Sequence, residues 1–217
     1  MTTRKDFLAA GAALSALAPQ LAPAAPLPAA SATPAPMPHL SFDLAAFDAA
    51  LNAPAKHRHL FSGKTADGDA FDTVRTVLDA YKSIAMPMNT VHPAAVLYHF
   101  AAISGLDDTV WNTLIIPNLA KLPKGLRDEV GALKAATGNP STATIAGLVT
   151  DANMATFVCN NAMTGLASVL AKASGADPVT TYATMSKHLV SNAMLVPAGV
   201  WAVHAVQEHG YSLLQVI

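Results

Sequence analysis

Two hydrophobic periods run along this chain. Over residues 69–84, Phe71, Val74, Val77, Leu78 and Tyr81 recur at three- and four-residue spacing, and Asp72, Arg75, Asp79 and Lys82 fall between them. That spacing predicts an amphipathic helix with one buried stripe. Met86-Pro87-Met88 closes it, because proline has no amide hydrogen for the helical ladder. The next stretch, His92-Pro93-Ala94-Ala95-Val96-Leu97-Tyr98-His99-Phe100, is almost continuously apolar. Such a run predicts a strand buried on both faces of a parallel sheet. Strands are expected likewise at 56–62, 155–159, 189–196 and 211–216. In the first of these, His57 and His59 lie two apart and therefore face one side. They read as a solvated edge, since a metal would need a third ligand.

Helical spacing returns between the strands. Residues 41–51 form a short helix with Ser41 as its cap, placed to pack across the sheet or against a partner subunit. A helix start at 107–111, a loop over 118–123 and helical patterns over 126–137 and 144–154 form a long insertion, expected to be a lid or a helical pair. After Cys159, the positions Met163, Leu166, Val169 and Leu170 mark another helix, and residues 182–187 a short piece. Pro197 suits a first helical turn and Gly210 a helix stop. Strands alternating with helices give an α/β fold, a mostly parallel five-stranded sheet covered on both faces.

The chain holds one cysteine, in Thr156-Phe157-Val158-Cys159-Asn160-Asn161-Ala162-Met163. Strand formers precede it, and two asparagines suited to helix capping follow it. A thiol at a helix N-terminus meets partial positive charge, and the thiolate is the reactive form. His99, at the carboxyl end of the second strand, would reach the same rim and could take the thiol proton. Asn160, Asn161 and Asn192 complete a candidate ligand pocket there. The plainer reading is a buried cysteine acting as a small hydrophobe. Met86 and Met88 read as gap-fillers in the core for the same reason.

Composition narrows the classes. Of 217 residues, 52% are hydrophobic and 12% charged, enough for one domain with a large core. A formal net charge of −1 and 6% aromatic residues argue against a nucleic-acid surface. No dinucleotide fingerprint, Walker loop or serine elbow is present, so no cofactor is expected. Residues 1–32 read as an export signal: Arg4 and Lys5, a short apolar core over 7–18, then Ala30-Ser31-Ala32. The apolar core is too short to span a membrane. The start resembles a twin-arginine leader with lysine in the second place, which leaves that route and general secretion both open. Residues 33–55 read as linker and short helix, and 56–217 as the α/β domain.

Taken together, the helix over 69–84 ahead of Val96-Leu97-Tyr98-His99, the Phe157-Val158-Cys159-Asn160 strand end, and the run from Val196-Pro197-Ala198-Gly199-Val200 to Gln207-Glu208-His209-Gly210-Tyr211 resemble the DsrE/DsrF-like sulfur-relay family. The likeness is to its exported single-domain members and covers about 57–216. It implies a flavodoxin-like three-layer fold, a periplasmic location and a homo-oligomer. It also implies persulfide sulfur carried on Cys159, with His99 beside it and a separate donor or acceptor protein. The chain departs from the family pattern in the long 107–140 stretch, in Phe100 where a glycine is usual, and in lacking a second cysteine. The alternative is a noncatalytic oligomeric binding module whose cysteine is structural.

Overall fold

The structure is a computed structural model that describes Met37, residues 39–66 and residues 69–215. The expected leader and residues 33–36 and 38 of the expected linker lie outside the described residues. Five strands form the sheet: β1 (His57–Gly63), β2 (Val91–Leu97), β3 (Ala155–Cys159), β4 (Ala193–Val196) and β5 (Ser212–Gln215). All pairings are parallel, in the order β4-β3-β2-β1-β5. All seven residues of β2 are buried, as the unbroken apolar run requires.

Helices cover both faces, giving a flavodoxin-like three-layer α/β fold. Side chains alternate across a strand, so Leu60 and Phe61 of β1 enter different cores. On one face α1 (Leu44–Leu51) and α8 (Gly199–Glu208) press Phe47, Leu51, Ala202 and Val206 onto Leu60, Val96 and Phe157. Helix α1 is therefore part of this core rather than linker. Its cap is Asp43, which accepts from the Ala46 amide at 2.9 Å, and not Ser41. The other face carries α2 (Asp69–Ser83), α5 (Thr142–Ala152) and α6 (Asn160–Ser174). Phe71, Val74, Leu78, Leu148, Met163 and Leu170 pack there with Phe61, Leu97 and Val158. Helix α7 (Pro178–Lys187) adds Tyr182 and Met185 to that core.

Several expected boundaries move, each for a local reason. The second strand stops at Leu97, because His99 takes a left-handed backbone (φ 54°) and opens a 3-10 segment, His99–Gly105. Apolar residues continue past the strand because Ala101, Ala102 and Ile103 are themselves buried. The expected strand at 189–196 keeps only 193–196. Asn192 is left-handed (φ 57°), and Leu189 instead bridges antiparallel to Leu106. The short piece at 182–187 is the end of α7, which starts at Pro178 under an Asp177 cap. The insertion is a packed layer, not a lid. It runs through α3 (Asp108–Val110), a π turn (Trp111–Ile115), a 3-10 stretch (Ile116–Lys121) and α4 (Lys124–Ala132). Val110, Trp111, Ile115, Leu126 and Val130 are all buried in it. Met86 and Met88 pack against the same core. His57 and His59 are not a solvated edge, because β5 pairs outside β1 and makes it an interior strand. Tyr81 of α2 covers them, its hydroxyl 2.7 Å from His59 Nε2. No helix among the described residues is long and apolar enough to cross a membrane.

A buried polar chain ties the two layers at the amino ends of the strands. His92 Nε2 donates to the Asn153 carbonyl at 2.9 Å, so Nδ1 must accept, and the Tyr211 hydroxyl lies 2.5 Å from it. Burial pushes the Tyr211 phenol up to about 12, against the opposing pull of the Arg58 charge, so it stays a donor. The Arg58 guanidinium lies 5.7 Å from the Tyr211 ring centroid and donates to the His209 and Ala53 carbonyls. Burial, assisted by Arg58, lowers the His92 pKa below 6.5. Burial and the neighbouring His57 lower His59 in the same direction. The unfolded chain then binds protons that the native state refuses once the pH drops below about 6.5. Stability should be fully present above that value and fall as the pH descends toward the folded-state values. Urea unfolding across this range should show the fall, and His92→Gln should flatten it, leaving the smaller slope due to His59. An equal slope in that variant would exclude His92 as its source.

Candidate functional site

The site follows from how two neighbouring strands end. Strand β3 feeds α6 on one face, and β4 feeds α8 on the other, so their carboxyl ends part. The parting lies between β3 and β4, where Cys159 pairs in register with Val196 and the following helices pack into different cores. A cavity of about 310 Å³ occupies it, lined by Tyr98, His99, Cys159, Asn161, Ala162, Ala198, Gly199 and Val200.

Cys159 ends the fully buried strand β3 and is itself the N-cap of α6. Its Sγ accepts from the Ala162 amide at 3.4 Å. The asparagines expected to cap this helix lie one and two residues inside it. The thiol is 6% exposed and lines the cavity. Helix α8 starts beside it, and no side chain caps that start at Ala198. Two helix N-termini thus adjoin one cavity, and their partial positive charge favours an anion there. The approach is close: a Cβ on Gly199 would overlap the Tyr98 Cβ. The Lys64 ammonium lies 5.9 Å from the Tyr98 ring centroid.

The five residues expected at the site separate. Cys159 and His99 line the same cavity, as does Asn161. His99 does so from the loop after β2, not from the strand. Asn160 turns away, its Oδ1 accepting from the Tyr182 hydroxyl at 2.5 Å. Burial raises the Tyr182 pKa, which keeps the phenol as donor. Asn192 belongs to the opposite end of the sheet. It precedes β4, and its Nδ2 donates to the Met154 carbonyl at 2.7 Å. At about 3.3 Å per residue, the length of the strand separates it from the thiol. Tyr98, Gly199 and Val200 also line the cavity and are not among those five. A glycine opening a helix straight after a strand was the available signal, since it marks close backbone approach. Among the described residues no group of three or more His, Cys, Asp and Glu side chains is placed to hold a metal.

No family model matches the chain, and no curated protein matches it. One similar solved structure is that of MTH1491, a protein of unknown function from Methanobacterium thermoautotrophicum. It is 14% identical with a TM-score of 0.42, and the match covers 74% of this chain and 100% of that one.

Proposed function

We propose that this chain is an exported DsrE-like protein that carries sulfane sulfur on Cys159. One observation supports the reading above the rest. The chain's one thiol opens on a cavity shared with His99, between the first turns of α6 and α8. The Cys159 proton passes to the His99 imidazole, and the thiolate attacks the outer sulfur of a hydropersulfide, R–S–SH. The S–S bond breaks, a Cys159 persulfide forms, and RS⁻ leaves to take the proton from His99. No net oxidation occurs. With no second cysteine in the sequence, an acceptor outside this chain removes the sulfur. The leader read over 1–32 would place the reaction in the periplasm, and a homo-oligomer belongs to the same proposal.

Mass spectrometry after treatment with inorganic polysulfide tests it. The wild type should gain sulfur and Cys159→Ala none. His99→Asn keeps a residue tolerant of the left-handed backbone and removes the imidazole. It should load about 10²-fold more slowly, the lower range for a lost general base. An unmodified wild type would overturn the proposal. It would favour the second reading, a noncatalytic oligomeric binding module, for which the Sγ contact to Ala162 N and the low thiol exposure speak.

A further inference from the structure

A second cavity of about 290 Å³ adjoins the first and shares His99 and Ala162 with it. One wall is the α6 face that Cys159 heads: Ala162, Gly165, Leu166 and Val169 follow at helical spacing. At 1.5 Å per residue this wall runs about 15 Å from the thiol. The insertion builds the other wall with Phe100 and with Gly125 and Leu126 of α4. His99 is the one polar side chain in the lining, and it stands at the junction with the thiol cavity. No cation or hydrogen-bonding side chain elsewhere in this groove could hold a sugar, phosphate or peptide. A Cβ built on Gly165 meets nothing within 4 Å, so a larger side chain there would enter the groove.

We infer that this groove holds an unbranched apolar chain attached to the sulfur that reacts at Cys159, so that the substrate is an alkyl hydropersulfide or the corresponding thiol product. The anionic sulfur end lies between the two helix N-termini, and the hydrocarbon follows α6 toward Val169. This substrate class rests on the sulfur-carrier reading, while binding of the chain does not.

Two measurements separate them. In Cys159→Ala, the thermal midpoint should rise with n-octanethiol and not with ethanethiol, because a ligand of the native state stabilises it. In the full chain, N-octylmaleimide should alkylate Cys159 about tenfold faster than N-ethylmaleimide, each rate divided by its rate with glutathione, since every buried methylene adds favourable transfer energy. Gly165→Leu fills the groove from α6, and Gly125→Leu fills it from α4, where a Cβ would sit 3.7 Å from Phe100. Either variant should abolish both effects. Stabilisation by octanethiol with an inert thiol would uphold the groove and remove the sulfur chemistry. A reactive thiol with no chain-length preference and no thermal shift would overturn the groove.

Discussion

Trp111→Ala is expected to destabilise the protein by about 3–5 kcal/mol, the usual range for deleting a buried indole. Trp111 is fully buried in the insertion layer, and its Nε1 donates to the Ile103 carbonyl at 3.1 Å. Ile103 belongs to the 3-10 segment His99–Gly105, so the indole anchors the segment that presents His99 to the cavity. Alanine leaves a void and removes one of the two bonds to that carbonyl, which keeps the Leu106 amide at 3.2 Å. A loss of this size is a large share of the roughly 5–15 kcal/mol that holds a domain together. Urea unfolding should show a lower midpoint at unchanged slope. Trp111→Phe retains most of the packing and loses one hydrogen bond, so it should cost about 0.5–1.5 kcal/mol. The chain has two tryptophans, and Trp201 is 37% exposed, so removing Trp111 should also erase the blue-shifted part of the emission. A change in stability below about 1 kcal/mol would show that the insertion is not packed as described.

Gly199→Ala should be the most damaging of the small substitutions at the site. The added methyl would overlap the Tyr98 Cβ, which is fixed to the backbone and cannot swing aside. Overpacking of this kind costs about 1–3 kcal/mol. The first turn of α8 must move off the end of β2, which widens the crevice over the thiol. Cys159 should then be alkylated faster even as the fold weakens. Gly165→Ala is the contrasting case. It meets nothing within 4 Å and should stabilise the helix by about 0.5–1 kcal/mol. Equal stability and equal thiol rates in Gly199→Ala and the wild type would mean that α8 does not approach Tyr98 this closely.

Cys159 was legible because the type of residue changes abruptly around it: strand formers end, and a helical stripe begins at Met163. Its capping role was not, because Asn160 and Asn161 have the higher capping propensity and only the backbone turn at Cys159 decides which side chain faces the first amides. His99 reaches the cavity from the 3-10 segment after β2 and not from the strand. The apolar run continues through Phe100, and nothing in its composition announces a left-handed residue. Asn192 was misplaced for the converse reason. Leu189 and Val190 look like strand yet pack onto the insertion, Val190 N donating to the Gly105 carbonyl at 3.0 Å, so the strand begins later and Asn192 falls at its amino end.

What the sequence determined by itself is the alternation of strand and helix and the junction that carries the thiol, since both are local patterns of side-chain burial. Only the tertiary structure decided that β4 turns back across the sheet while β3 does not, which parts two strand ends and opens the crevice. It alone put His99 on the same cavity as Cys159 and Asn192 at the other end of the sheet, because both placements depend on strand order and register. Side-chain periodicity records which face of an element is buried, and it carries no record of which neighbour buries it.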